Sequence, residues 1–515
     1  MILGGENREA GGNRTTLDDL FRRAGVRRPD VLALLDPPNR ETFTDGAPRR
    51  LTYAQADRAI SALAAQLRRL GLQTDTVVAI QLPNTVESVI ALLGVSRAGM
   101  IAVPLPQLWR QQEMVAALKR IGAKAIVATS RIGATAHAEI AMQVAAELFP
   151  IRQVCGFGRA LPDGVVPLDE IFAPGHFDFV QPPVRPGNAA AHVAVVTFDV
   201  GSDGLVPVAR NHMELIAGGL GPYLESGAAQ DANILSAIPL GSLAGIALSV
   251  MPWLLGGGTL ALHHGFDPGT FAAQCRERDG GTIVLPGPAL ASLADADCLG
   301  RPANIVALWR SPERLARAAP WRGEAGLVDV ASFGETGLLA SLRGPDGLPL
   351  PIPYGSIGEP RAAGGITVVE TLRTGAGTLA LRGPMVPAHA FPLGAEPHPT
   401  MDALGFTDTG FTCRLERDSQ TLVFDGPPPR HRQYRRLPFP ASSRRGPGGG
   451  RQSRRHHCRF ARRLSRCAAG RQRPRPRGNG CAIAGQRRQS ADCRRVSGAK
   501  SIECRLIFPA SLTRY

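Results

Sequence analysis

Residues 51–130 alternate between two hydrophobic periods, and this alternation limits the folds open to the chain more than any other feature. After LTY (51–53), Ala56, Ala59, Ile60, Leu63, Ala64, Leu67 and Leu70 fall at helical spacing, and Gly71 ends the helix. TVVAIQLPN (76–84) then reads as a buried strand closing in a Pro-Asn turn. A helix over 85–98 stops at Gly99, MIAVPL (100–105) is a strand, and a helix over 111–121 leads into the strand AKAIVATS (123–130). Strands alternating with helices of this length predict an α/β fold, a parallel sheet wound with helices on both faces.

At 515 residues the chain is too long for one core, and roughly two to four lobes are expected. The Pro-rich QPPVRPG (181–187) marks a first boundary, after which AHVAVVTF (191–198), GTLALHH (258–264) and GTIVLPG (281–287) are strand candidates. From about residue 355 helical patterns stop and short strands dominate: GITVVETL, GTLALRG and TLVFDG. The expected lobes are therefore 17–187 and 188–354, both α/β, and a small β lobe over 355–426. Residues 233–263 contain no Asp, Glu, Lys or Arg. Pro239, Pro252 and Gly256-Gly257-Gly258 interrupt that stretch, so a buried helix and strand explain it better than a membrane span.

Charge is partitioned sharply. Of 59 Lys and Arg, 24 lie in residues 430–515 beside only 2 acidic residues, leaving 35 basic against 41 acidic residues elsewhere. The body is mildly acidic, and the net charge of +16 comes from the tail. Stretches such as RQSRRHHCRFARRLSRC have no hydrophobic period and read as a disordered cationic segment. Such a segment attracts polyanions without sequence preference, yet it lacks interleaved aromatics and any recognition module, so no specific nucleic-acid partner is expected. The pair His456-His457 with Cys458 has no second ligand pair at finger-like spacing. Cysteines of the body stand singly, and MILGGENREAGGNR places charges where an export signal needs an apolar core. Both point to a reduced, cytoplasmic protein.

Motifs in order along the chain resemble the adenylate-forming superfamily of acyl-CoA synthetases, aryl-acid ligases, peptide-synthetase adenylation domains and luciferases. They are LTY, VAIQLPN and VPL within 51–105, then PLGSLAG, LLGGGTLAL, FDP, SFGETG, GSIGEP, LALRGP and FTDTGF. The likeness covers roughly residues 17–426 and implies a three-lobed N-terminal domain followed by a C-terminal lid. It also implies activation of a fatty or aryl carboxylic acid with ATP and Mg²⁺. The resulting acyl-adenylate passes to a thiol, either coenzyme A or an acyl carrier.

The resemblance places its phosphate loop, T-S-G-T-T-G-x-P-K-G-V, on VVTFDVGSDGLVPVARNH (195–212). Counted back from His212, Val206 stands at the lysine; shifted by one residue, Gly201-Ser202-Asp203-Gly204 matches G-T-T-G and Pro207 stands there. No lysine occurs between Lys124 and Lys500, and Arg210 is the local cation. The resemblance assigns Gly201, Ser202, Gly204, Phe333, Gly334 and Thr336 to nucleotide binding. The metal-binding glutamate position is Gly337, which leaves Glu335, two residues earlier, as the metal candidate. The ribose-binding Asp position is Phe411, and an aromatic-His pair beside the acyl pocket becomes Gly241-Ser242. A tight turn from strand to helix is the competing account of residues 201–204. No residue is assigned a catalytic role.

The likeness stops at VFDGPPP (423–429), where the family would continue into its lid. RHRQYRRLPF (430–439), advanced by one nucleotide, can be encoded by codons reading G-I-V-S-I-G-G-Y-R, similar to the start of that lid. The expectation is a frame change near Pro429, with the lid missing or replaced by the Arg-rich tail over 430–515. The functional expectation is an AMP-dependent acid–thiol ligase impaired in this chain, with an inactive acyl-binding or partner-binding scaffold as the alternative.

Overall fold

The computed structural model describes residues 14–175, 179–201, 204–358, 367–387, 391–392 and 401–426. Segment 430–515, with the frame change and the lid expected there, lies outside the described residues.

The predicted alternation builds a seven-stranded sheet. Its order is Val166–Pro167, Gln153–Phe157, Ala125–Thr129, Val77–Gln81, Ile101–Pro104, Val193–Gly201, Gly204–Asn211. Every pairing is parallel except the last, which is a hairpin. Val77–Gln81 and Ala125–Thr129 are buried along their whole length, as strands covered on both faces must be. The helix Tyr53–Arg69 precedes them, and Val86–Arg97 and Gln111–Ile121 run between them. Thr52 and Gln55 form a capping box at the start of the first, and Gly122 ends the third in the left-handed conformation.

A second sheet of eight strands runs Gly337–Leu342, Gly326–Phe333, Asn304–Trp309, Thr282–Pro286, Ile234–Ser236, Leu260–Leu262, Leu32–Leu35, Arg50–Thr52. Its interior pairings are parallel and both edges are antiparallel. Sheet membership crosses the expected boundary at 187: strands from 32–52 join the second sheet, and strands from 193–211 join the first. Hydrogen-bonding partners, not chain order, decide which sheet a strand enters. The uncharged stretch 233–263 supplies two interior strands and a buried helix, which explains its composition. That helix begins at Leu243–Gly245, passes through a π segment at Ile246–Val250 and ends with Met251–Gly256. Among the described residues no helix is long and apolar enough to cross a membrane.

A third sheet is six-stranded and antiparallel, in the order Ile352–Pro353, Thr421–Phe424, Thr407–Glu416, Thr378–Arg382, Thr367–Arg373, Gly355–Gly358. It is the small β lobe, starting three residues ahead of the expected position.

Candidate functional site

The phosphate-loop segment is the tip of a long hairpin. Val193–Gly201 pairs with Gly204–Asn211 up to Gly201 opposite Gly204. Gly204 sits at φ +109°, a conformation that L side chains avoid. Ser202 and Asp203 lie outside the described residues. A second strand, absent from the strand-to-helix account of this stretch, precedes the helix His212–Ser226. Pro207 masks its pattern, and it is tolerated because this strand is the sheet's edge.

The second motif is also a turn between paired strands. Phe333 lies opposite Gly337, and Gly334-Glu335-Thr336 make the connection. Gly334 has φ +59°, and a Cβ there would run into the Asp199 carboxylate. That carboxylate accepts the Glu335 backbone N–H at 2.9 Å. The Thr336 N–H closes the turn on the Phe333 carbonyl at 3.1 Å. The two motif loops are thus docked together, hairpin against turn.

Arg210 completes the clasp. It is 2% exposed, and its Nη2 donates to the carbonyls of Glu335 and Thr336. Among the described residues its Nε and Nη1 meet no hydrogen-bond partner. Burial lowers its pKa, and the charges of Glu335, Glu214 and Asp199 work against that shift.

Glu335, the metal candidate, turns its carboxylate to the Leu243 N–H at 2.7 Å, at the start of the buried helix. Burial raises its pKa, while Arg210 and the Leu243 N–H oppose the rise. A metal ligand must be deprotonated, with a lone pair facing the ion. As placed, this carboxylate does not fit Mg²⁺: its oxygen already faces a donor, inside the protein. Among the described residues no three His, Cys, Asp or Glu converge on a metal-sized site.

Phe333 is fully buried, with its ring edge-on to Phe411 at 5.4 Å and tilted against Phe424 at 5.4 Å. Phe411, at the ribose-ligand position, is a core residue of the β lobe. Asp408 is held within the sheet, accepting from Thr378 Oγ1 of the neighbouring strand at 3.0 Å and from the Gly410 N–H at 2.8 Å.

Beside these loops is a small apolar cavity of about 30 Å³. Leu82 and Pro83 follow one strand of the first sheet, Leu105 and Pro106 follow its neighbour, and Pro239 to Gly241 follow Ile234–Ser236 of the second. The carboxyl ends of parallel strands from both sheets therefore meet at this cavity, the place where open α/β sheets bind ligands. Ser242, next to the wall, caps the buried helix by accepting the Gly245 N–H at 3.3 Å. Its Oγ also accepts from Arg310 Nη2 at 3.3 Å. Sequence reasoning missed Arg310 and the role of Arg210. For Arg210 a signal existed, a charge inside an otherwise apolar edge strand; for Arg310 there was none.

Over residues 21–384 the sequence matches the family described as AMP-binding enzyme, and the chain belongs to it. Relatives include the feruloyl-CoA synthase of Amycolatopsis sp, 29% identical over 259 residues, which are 50% of this chain and 48% of that protein. The medium-chain fatty-acid–CoA ligase of Escherichia coli is 26% identical over 147 residues, covering 28% of this chain and 24% of that one. This chain spans about half the length of the feruloyl-CoA synthases it matches. In fold it is similar to apo MbtA of Mycobacterium smegmatis, with TM-score 0.62 and 23% identity over 81% of this chain and 76% of that one. It is also similar to a long-chain-fatty-acid-CoA ligase of Archaeoglobus fulgidus, with TM-score 0.61 and 18% identity over 83% and 87% of the two chains.

Proposed function

We propose that this chain is an acid–thiol ligase of the AMP-forming type by descent. In this reading it binds a carboxylic acid where the two parallel sheets meet, and its own adenylation step is impaired. The observation that carries the impairment is Glu335: the carboxylate nearest the expected metal position is spent on the Leu243 N–H inside the protein. Position 337 is glycine and position 411 a buried phenylalanine, so neither supplies the oxygen ligand that the resemblance leads one to expect.

On this reading the lobes are 17–187, 188–354 and 355–426. Gly201, Ser202, Gly204, Phe333, Gly334 and Thr336 keep the outline of a nucleotide site without its charge. ATP, Mg²⁺ and coenzyme A are the co-substrates of the ancestral reaction, with a fatty or aryl acid as the activated group. Among the described residues, the buried thiols of Cys155, Cys275 and Cys413 stand outside any disulfide and fit a reducing compartment such as the cytoplasm. The packing of Phe411 on Phe333 favours a second reading, an inactive acyl-binding or partner-binding scaffold, because it commits a ligand position to the core.

ATP–pyrophosphate exchange with a panel of fatty, aryl and short acids tests the proposal. Exchange at the level of the acid-free blank is the expected result. Turnover well above that blank with any acid would sink both the impaired and the scaffold readings.

A further inference from the structure

Two backbone N–H groups, one from each motif loop, converge on a single carboxylate. Asp199, in the strand Val193–Gly201, accepts the Val200 N–H on Oδ1 at 2.8 Å and the Glu335 N–H on Oδ2 at 2.9 Å. Gly334 makes room for it, since a Cβ there would run into the carboxylate. The Asp199 side chain is half-buried, whereas Arg210, which clasps the same turn, is 2% exposed. Burial disfavours the ionised guanidinium, and the charges of Glu335, Glu214 and Asp199 work to keep it. Among the described residues its Nε and Nη1 meet no hydrogen-bond partner.

Fixed backbone N–H groups, a glycine where the chain must come close and a buried cation make up the donor set of an oxyanion site. In this chain the anion is its own side chain. A carboxylate has two oxygens, and both are taken by the N–H groups. A phosphoryl group carries roughly −1.5 to −2 charges at neutral pH and three acceptor oxygens. It can answer the same two N–H groups and still offer an oxygen to the guanidinium. An anion from solution meets two obstacles here: the donors are occupied, and the Asp199 charge repels it.

We propose that the hairpin and the 334–336 turn form a site for a phosphoryl oxyanion, and that Asp199 closes it as an internal ligand. This rests on the reading of the two loops as the outline of a nucleotide site, and it names the contact that shuts that site. Opening it needs only the Asp199 side chain to leave, because Arg210 holds the turn by its backbone carbonyls.

Calorimetric titration of the full chain with inorganic phosphate, pyrophosphate and ATP at constant ionic strength tests the inference. Asp199→Ala is expected to bind phosphate and pyrophosphate about 10-fold or more tighter than the unaltered chain, because two donors are freed and a repelling charge is gone. Phosphate should also raise the unfolding midpoint of this variant, as binding to the folded state requires. Asp199→Asn keeps the shape and one acceptor oxygen but loses the charge, so its gain should be smaller. Adding Arg210→Leu to Asp199→Ala should remove the gain. Equal phosphate binding by the unaltered chain and both Asp199 variants overturns the inference, as does a gain that survives Arg210→Leu. If Asp199→Ala does not fold, Asp199→Asn decides, and unchanged phosphate affinity in it overturns the inference. Given a gain, ATP binding tighter than pyrophosphate assigns the phosphoryl group to a nucleotide, and equal binding assigns it to the free anion; both uphold the site. Pyrophosphate exchange well above the blank in the unaltered chain would overturn closure by Asp199 together with the impaired reading. Absence of the phosphate gain with blank exchange would overturn closure alone.

Discussion

Arg40 and Arg210 are both almost wholly buried, at 3% and 2% exposure, and they are partnered very differently. Arg40 spends every nitrogen: Nη1 on Asp36 at 2.5 Å and Glu87 at 2.8 Å, Nη2 on Glu87 at 2.5 Å, and Nε on the Asp45 carbonyl at 3.2 Å. Arg49 extends the cluster from Glu87 to Asp169. Burial drives the Glu87 pKa upward, but Arg40 and Arg49 more than reverse this and hold it below the usual carboxylate range. Arg210 instead meets two backbone carbonyls, and among the described residues two of its nitrogens find no partner. Around Asp36 the interior holds charges because Arg40 and Arg49 answer Glu87, although burial and Glu87 together push the Asp36 pKa up to about 6. Around Arg210 it holds a charge that is only partly answered, two residues before a histidine that burial keeps neutral. The first cluster ties secondary structure together; the second lies where the resemblance expects nucleotide chemistry.

The largest expected effect is at the satisfied cluster. Arg40→Met leaves Asp36 and Glu87 buried without their main partner, and should cost about 3–5 kcal/mol of unfolding free energy in urea titrations. A loss below about 1 kcal/mol would break the contrast.

Next comes acidification. Burial, then the charge of Arg185, depresses the His212 pKa from 6.5 to about 4. Its Nδ1 accepts the Leu17 N–H at 3.2 Å, which needs a free lone pair on that nitrogen. Between these pH values the unfolded chain binds a proton that the folded chain does not. Stability from this group is therefore complete above pH 6.5 and drains away as pH falls toward 4. Roughly 3 kcal/mol is at stake, and His212→Gln should flatten that part of the stability–pH curve. An unchanged slope in the variant would show that His212 does not carry it.

The smallest effect should be Arg210→Leu. Removing a partly answered buried charge offsets the loss of its carbonyl contacts, so the change should stay within about 1 kcal/mol. A cost as large as that of Arg40→Met would place the two arginines in one class.

Legibility followed the range of the interaction. Gln111–Ile121 and the buried strand Val77–Gln81 were readable because amphipathic spacing and β-branched runs act over a few residues. The break at the tip of the hairpin was readable from Gly201 and Gly204. The strand Gly204–Asn211 was not, because Pro207 breaks its alternation and only its edge position makes that harmless. Arg210 looked like a lone local cation, and Glu335 like a displaced ligand.

By itself the sequence determined the alternating α/β architecture, the small β lobe, the family, and the residue types standing at the family's ligand positions. Tertiary structure alone decided what those residues touch. Asp199 meets the Glu335 N–H across 136 residues, Arg210 the Glu335 carbonyl across 125, and Glu335 the Leu243 N–H across 92. Secondary structure is written in spacing because its hydrogen bonds close within a few residues. The occupation of a buried carboxylate depends on which donors packing brings beside it, and no local period records that.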